Sequence, residues 1–454
     1  MSEHVFDLAV TGNILYGSSL IDNGTILIKG EKISCISAKP DGFQTKIHIN
    51  AQDKLVLPGA IDSHVHSLSY PEEGFRNSTI AACRGGVTTI IDMPVDAPSG
   101  IATPDALKKK IEVVEKESYV DVALLGSVKN DSLEYIYKLK ESGVCGFKLS
   151  LFDTDPVRFP RVNDGNLLEA FFIIAKTGLT AGVHAENDEI IKSLMEKFIK
   201  EDRTYPLAHC ETRPEVSETE SVLRSLEIAR AAGVRLHLYH ISCSRSVDHA
   251  QYYRKEGNPV TLETCPHYLI FSEEDMVKLG GKLRINPPVR KKADSAQLWS
   301  KLQYGEIDCV SSDHAPWPAE KKNKLSIFDN ACGIPGVEIL FPILFSEGVA
   351  KEKISIFTLT KVLMENPAKI FGLFPKKGTL IPGSDADIVV LDPEKKWTVL
   401  KNELHPNVGW SPYEGMELTG KVDMTIVRGK IVFNKGETTA QKGYGRFIRP
   451  TETP

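Results

Sequence analysis

The run Ile61-Asp62-Ser63-His64-Val65-His66 ends in two histidines one residue apart. If the run is a strand, residues i and i+2 point to one side, so both imidazoles can hold a single ion where the strand stops. Four further runs end in residues of similar chemistry. Gly146-Phe147-Lys148-Leu149 carries a lysine among apolar neighbours. Gly182-Val183-His184-Ala185-Glu186-Asn187 and His240-Ile241-Ser242 each carry a histidine, and Ser312-Asp313-His314-Ala315-Pro316 an aspartate. Imidazole nitrogen and carboxylate oxygen without thiolate suit zinc first, with manganese, cobalt or iron as alternatives. A lone histidine is more often structural than a ligand. The pairing of His64 with His66, and the recurrence at other run ends, point to metal chemistry.

Such residues need a frame that brings five run ends to one rim. The middle of the chain alternates apolar, strand-like runs with helix-periodic stretches, the pattern of βα units. Eight runs stand out: 56–65, 87–93, 122–128, 146–151, 180–185, 235–241, 260–265 and 308–312. Helical periodicity lies between them, as over 104–116, 133–141, 167–176, 218–232 and 293–302. Eight buried strands with intervening helices predict a (β/α)8 TIM-like barrel, which places its chemistry at the carboxyl ends of its strands. Both chain ends read differently, as short strands and tight turns, with Asp22-Asn23-Gly24 a hairpin signal and Gly30-Glu31-Lys32 a turn. The ends even echo each other, 7–14 against 424–431. We therefore expect a small β-sandwich domain from residues 1–54 plus 379–454, around a catalytic barrel at 55–378.

Composition narrows the partners. Among 454 residues, 55 Lys and Arg face 60 Asp and Glu, a formal net charge of −5, so no basic excess exists to neutralise a nucleic acid. The start Met1-Ser2-Glu3-His4 lacks the features of a secretory signal. The apolar stretch Ile339–Phe345 contains Pro342 and is far short of a membrane span. Eight scattered cysteines without a CxxC pair read as reduced thiols in a cytoplasmic protein.

The HxH pair, Lys148, His184, His240 and Asp313, in that order, resemble the amidohydrolase superfamily, and in particular its cyclic amidohydrolase branch of dihydroorotases, hydantoinases (dihydropyrimidinases) and allantoinases. The resemblance runs from about residue 55 to 447 and takes in the β domain from both ends. It implies two divalent ions, zinc by preference. His64, His66 and Asp313 would bind one, His184 and His240 the second, and N6-carboxylated Lys148 would bridge them. It further implies that the ions lower the pKa of water so that a bridging hydroxide attacks a ring amide. Asp313 would take the proton as general base and return it to the leaving nitrogen as general acid. A homodimer or homotetramer acting on a small cyclic amide is implied as well.

Which ring is opened is less legible. Leu68 stands where dihydroorotases carry an arginine for the substrate carboxylate, and Asp153 where dihydropyrimidinases carry a tyrosine. Phe159-Pro160-Arg161-Val162-Asn163-Asp164, Cys265-Pro266-His267-Tyr268, Pro287-Pro288-Val289-Arg290, the stretch 305–314 and Gly333-Ile334-Pro335-Gly336 all look closer to allantoinases. Backbone groups near Asn286 and Cys332 would then meet the ring's amide edge. The loop after His66 looks shorter than usual in that branch, which leaves dihydropyrimidinase (hydantoinase) or dihydroorotase-like activity on another cyclic amide or imide as the alternative to opening allantoin to allantoate.

The remaining candidates read as structural. His237 should turn to the face opposite His240, and His267 and His314 are supporting residues rather than ligands. Glu72-Glu73 and Lys321-Lys322 look like solvated doublets, or loop ornaments of the mouth. The stretch 415–421 mimics a phosphate loop, but Val422 replaces the required hydroxyl residue. A non-catalytic scaffold relative is the reading from another class, and retention of all six ligands argues against it.

Overall fold

The computed structural model describes residues 5–39, 42–405 and 408–451; Met1 to His4, read above for a leader, lie outside them. The chain opens with β1 (Val5–Tyr16), β2 (Ser19–Lys29), β3 (Lys32–Ser37) and β4 (Gln44–Pro58). The barrel strands follow: β5 (Ala60–Val65), β6 (Val87–Asp92), β7 (Asp121–Leu124), β8 (Gly126–Ser127), β9 (Gly146–Ser150), β10 (Thr180–His184), β11 (Leu236–Leu238), β12 (Val260–Thr264) and β13 (Cys309–Val310). The chain returns with β14 (Ile388–Thr398), β15 (Glu417–Val427), β16 (Lys430–Asn434) and β17 (Glu437–Thr438).

The expected barrel is present. β5, β6 and β7 pair in parallel, as do β8 through β13 in sequence order. β7 and β8 are two pieces of one barrel strand, interrupted at Leu125, whose N–H reaches back to the Asp92 carbonyl at 3.3 Å. The ring closes where Val65 bridges His314, with His66 N–H on the His314 carbonyl at 2.9 Å. Ile61, Ile91, Ala123, Leu125, Cys145, Tyr239 and Cys309 pack together with Phe371 in one buried cluster. Helices surround the strands as their periodicity predicts. Pro104–Glu117 and Asp164–Thr177 start at Thr103 and Asn163, whose side chains accept a backbone N–H in the first turn.

The run read as 56–65 is divided in the structure. Val56 to Pro58 belong to β4, and the barrel begins only at Ala60. The break falls at Gly59, where a Cβ would lie 2.1 Å from the Thr88 hydroxyl oxygen, so only glycine lets the chain pass from one body to the other.

Both chain ends build one eight-stranded sheet, ordered β17-β16-β15-β14-β4-β1-β2-β3. It folds onto itself as a sandwich: Leu8, Val10, Ile26, Ile28, Ile388, Val390 and Ile426 share one apolar cluster, and Ile33 of β3 donates its N–H to the Ser384 carbonyl beside β14 at 3.0 Å. The hairpin expected at Asp22-Asn23-Gly24 is not there. The chain turns earlier, between Tyr16 and Ser19, and Asn23, at φ +49°, lies within β2 opposite an irregularity in β1. Its N–H bonds the Asn13 side chain at 3.1 Å, so a left-handed residue that sequence associates with turns serves a bulge instead.

One buried ion cluster ties the sandwich to the base of the barrel. Lys377 Nζ lies 2.5 Å from Asp121 at the start of β7, 3.0 Å from Asp385 and 2.7 Å from Asp387, and Arg428 also pairs with Asp121. The three carboxylates could suggest a metal site, but their charge is already met by three cations, Lys377, Arg428 and Lys32, the last 2.7 Å from Asp385. Replacing Lys377 with methionine leaves buried carboxylates facing one another. Denaturant unfolding should show a loss of about 3–5 kcal/mol. A loss below about 1 kcal/mol would mean that the cluster holds nothing together.

Candidate metal centre

The eight site residues singled out in the sequence line a single cavity at the carboxyl ends of the barrel strands. His64, His66, Lys148, His184, His240, Asn286, Asp313 and Cys332 all contribute to it, with Ser69, Thr154, Arg158, Phe159 and Trp317. The free space is about 120 Å³, sized for one small ring rather than a polymer.

The side chains converge. His64 Nε2 is 3.3 Å and His66 Nε2 3.4 Å from Asp313 Oδ1, and Lys148 Nζ is 2.7 Å from His64 Nε2. His184 Nδ1 faces His240 Nε2 at 2.9 Å. His240 and Asp313 have φ of +39° and +47°, a conformation that costs a non-glycine residue of order 1–3 kcal/mol. That turn lifts His240 out of strand alternation. His237, expected on the opposite face, instead packs in the buried interior with Tyr239, and its Nε2 is 3.7 Å from Glu263. It remains a structural residue, as read, but for a different geometric reason.

Hydrogen bonds fix which nitrogen of each ring is free. His64 Nδ1 is 2.8 Å from the Glu263 carboxylate, which can only accept, so Nε2 keeps its lone pair toward the cavity. Ser69 donates its hydroxyl to the Val95 carbonyl, so His66 Nδ1–H donates to Ser69 Oγ at 3.0 Å and Nε2 is again free. His184 Nε2–H donates to Glu186 at 2.8 Å, and Arg213 Nη1 lies 2.7 Å from that carboxylate. Burial brings His66 down to about 4 and holds His240 well below the usual imidazole range, so both rings are neutral near pH 7. Burial would raise the Asp313 carboxyl, but His64, His66 and His240 outweigh it and hold the group well below the usual carboxylate range. Burial also lowers the Lys148 amine to about 8, against the opposing pull of Asp313 and Glu263.

The fold and the sequence agree with known proteins. Residues 55–432 match the model of the amidohydrolase family. The chain belongs to the amidohydrolase family. Among curated relatives, an L-hydantoinase of Paenarthrobacter aurescens is 34% identical over 98% of both chains, and an allantoinase of Rubrobacter xylanophilus is 34% identical over 98% of both. A solved L-hydantoinase (dihydropyrimidinase) from Arthrobacter aurescens superposes with a TM-score of 0.95 at 33% identity, covering 98% of this chain and all of that one. A dihydropyrimidinase from Brevibacillus agri gives 0.91 at 30% identity, over 98% and 99%. The protein is accordingly an enzyme, a hydrolase of the cyclic amide class.

As an amidohydrolase it should hold a binuclear metal centre, and the donor set fits one. His184 Nδ1 and His240 Nε2 lie 2.9 Å apart, His240 Nδ1 is buried without a partner among the described residues, and Nε2 of both His64 and His66 faces Asp313. Imidazole nitrogens gathered beside a carboxylate are the donors that a divalent cation takes.

Several contributors carried no sequence signal. Asp62 accepts backbone N–H groups from His64 at 3.2 Å and Ser312 at 3.0 Å, locking the first strand end against the last; burial lifts its carboxyl to about 7. Tyr239 lies 4.7 Å from Lys148 Nζ, and its ring fits because residue 182 is glycine: a Cβ there would be 2.1 Å from it. The solvated reading of Glu72-Glu73 and Lys321-Lys322 fails in half. Glu73 and Lys322 are each 1% exposed, and the Lys322 ammonium is held by the carbonyls of Arg284, Ala331 and Gly333 at 2.7–3.0 Å. That clamp fastens the segment bearing Cys332 to the one bearing Asn286. The Cys332 carbonyl accepts the Trp317 indole N–H at 2.7 Å, whereas Asn286 Oδ1 is buried without a partner among the described residues. His267 and His314 do not line the cavity.

Proposed function

We propose that this enzyme opens the hydantoin-type ring of allantoin to give allantoate, with two zinc ions as its resident metals. The observation that carries the reading is the convergence of six donors, His64, His66, Lys148, His184, His240 and Asp313, on a cavity sized for one small ring. When bound, the ions lower the pKa of water and polarise a ring carbonyl. His64, His66 and Asp313 would hold one ion, His184 and His240 the other. Lys148, carried into the range where free amine is available near neutrality, would react with carbon dioxide to give a carboxylate, an anion that would offset the repulsion of two cations.

The chain's own groups then account for proton movement and orientation. Asp313 Oδ1, ionised at neutral pH, removes a proton from the attacking water and delivers it to the nitrogen released from the ring carbonyl. Water adds across one amide bond, so the carbonyl leaves as a carboxylate and the nitrogen as an amide N–H. Asn286 Oδ1, unpartnered at the cavity wall, offers an acceptor to a ring N–H. Allantoin is itself a hydantoin carrying a ureido group, so the likeness to hydantoinases and to allantoinases supports one ring with two kinds of substituent.

Allantoin, 5-substituted hydantoins, dihydrouracil, dihydroorotate and cyclic imides should be assayed side by side, with metal content measured on the same preparation. Allantoin should give the highest kcat/KM, with close to two divalent ions per chain, and chelation should abolish turnover. Preference for dihydroorotate would overturn the reading, as would fewer than one ion per chain. Among the described residues no helix is long and apolar enough to cross a membrane. The eight unpaired cysteines support a reducing compartment, the cytoplasm.

A further inference from the structure

The segment after β9 brings a cation to the cavity that the chemistry above does not use. Arg158 lines the same cavity as His66, Ser69 and Trp317. Its guanidinium is held on two sides: Nε donates to Asp155 Oδ2 at 2.8 Å, and Nη1 to the Ser69 carbonyl at 3.0 Å. Asp155 is itself fixed, because its Oδ1 accepts the backbone N–H groups of Val157 at 3.0 Å and Arg158 at 2.8 Å. Backbone bonds in both directions between Asp155 and Phe159, at 3.3 and 3.0 Å, close the loop. Among the described residues no protein acceptor is bonded to Nη2. Ser69 is also the residue whose hydroxyl receives His66 Nδ1–H, so the arginine and one candidate metal ligand are anchored to the same point.

A guanidinium pinned through Nε and Nη1 keeps a planar, oriented donor for a ligand and loses little entropy on using it. The sequence suggested that a substrate-binding arginine was missing, because Leu68 stands two residues after His66. The structure brings an arginine, Arg158, to the same mouth from another loop. We infer that Arg158 selects the substituent of the ring, donating to an acceptor oxygen within the group attached to the carbon beside the scissile carbonyl, which in allantoin is the ureido oxygen. This rests on the hydantoin-type reading of the ring and makes it narrower: rings with alkyl or aryl substituents leave the donor unmet.

Arg158→Gln should be compared with wild type on allantoin and on 5-methylhydantoin, which has the ring and no exocyclic acceptor. We expect kcat/KM for allantoin to fall about 10- to 100-fold, mostly through KM, with 5-methylhydantoin changed by less than about threefold. Asp155→Asn, which loosens the guanidinium without removing it, should move allantoin in the same direction by less. Equal losses on both substrates would reduce Arg158 to a loop fastener and overturn the inference, as would an unchanged allantoin value. Binding gives an independent readout. Calorimetric titration of hydantoin-5-acetate into the metal-loaded Asp313→Asn enzyme should show at least about tenfold tighter binding than hydantoin, and Arg158→Gln should erase that margin. Absence of the margin overturns the inference whatever the turnover. A wild-type enzyme inactive on every hydantoin overturns the ring assignment instead.

Discussion

Replacing Lys148 with alanine should lower kcat/KM by about a thousandfold or more and leave the purified enzyme short of metal. Lys148 is 2% exposed, 2.7 Å from His64 Nε2 and beneath the Tyr239 and Phe159 rings. A buried ammonium beside an imidazole that must coordinate a cation would oppose metal binding, whereas a carboxylated amine favours it. In the proposed centre alanine would remove the bridging anion and leave a gap that a small acid can enter. Added acetate or propionate should therefore restore part of the activity, and Lys148→Arg, which cannot be carboxylated, should show no such rescue. The amine sits at about 8 rather than near its usual 10.5, so it reacts with carbon dioxide only in the fraction that is unprotonated. At fixed dissolved carbon dioxide, reconstitution of metal-free enzyme should slow roughly tenfold for each pH unit below that value and level off above it. Full activity of Lys148→Ala without added acid would remove the bridging role.

Asp313→Asn, compared with wild type at matched metal content because the carboxylate is also a proposed ligand, should cost about 10²- to 10⁴-fold in kcat while KM changes little. The amide cannot take the proton from water or return it to the departing nitrogen, yet it fills the same space near His64 and His66. The pH profile adds a second measurement. The carboxyl is held well below its ordinary range, so it is ionised at neutral pH, and the rate should fall only in acid as it becomes protonated. Asparagine should remove that acid limb. A wild-type limb near the ordinary imidazole value would instead point to another base.

The barrel and the six candidate donors were legible because each lies in or just beyond a buried apolar run, where periodicity and fold rules act together. What was hidden depends on closeness in space. Glu263 orients His64 from 199 residues away, and Arg158 joins Ser69 across 89, neither with a spacing that sequence can express. Lys322 looked like half of a surface doublet because charge is usually solvated, but three carbonyls from two loops replace its water. His237 was placed by alternation, a rule that the left-handed φ of His240 breaks locally. Asn23 shows that a left-handed φ marks a bulge as readily as a turn.

The sandwich also has a bearing on how the enzyme comes into being. β7 cannot complete its base until the far end of the chain arrives: Val122 bridges Phe447, and Asp121 receives the Arg446 N–H from 325 residues away. β4 likewise waits for β14. Until those segments are in place the first βα units have open strand edges and Asp121 lacks these partners, and pairings of such sequence separation slow folding. The catalytic rim is encoded in the middle of the chain, but the base beneath it closes only when residues 446 and 447 reach β7.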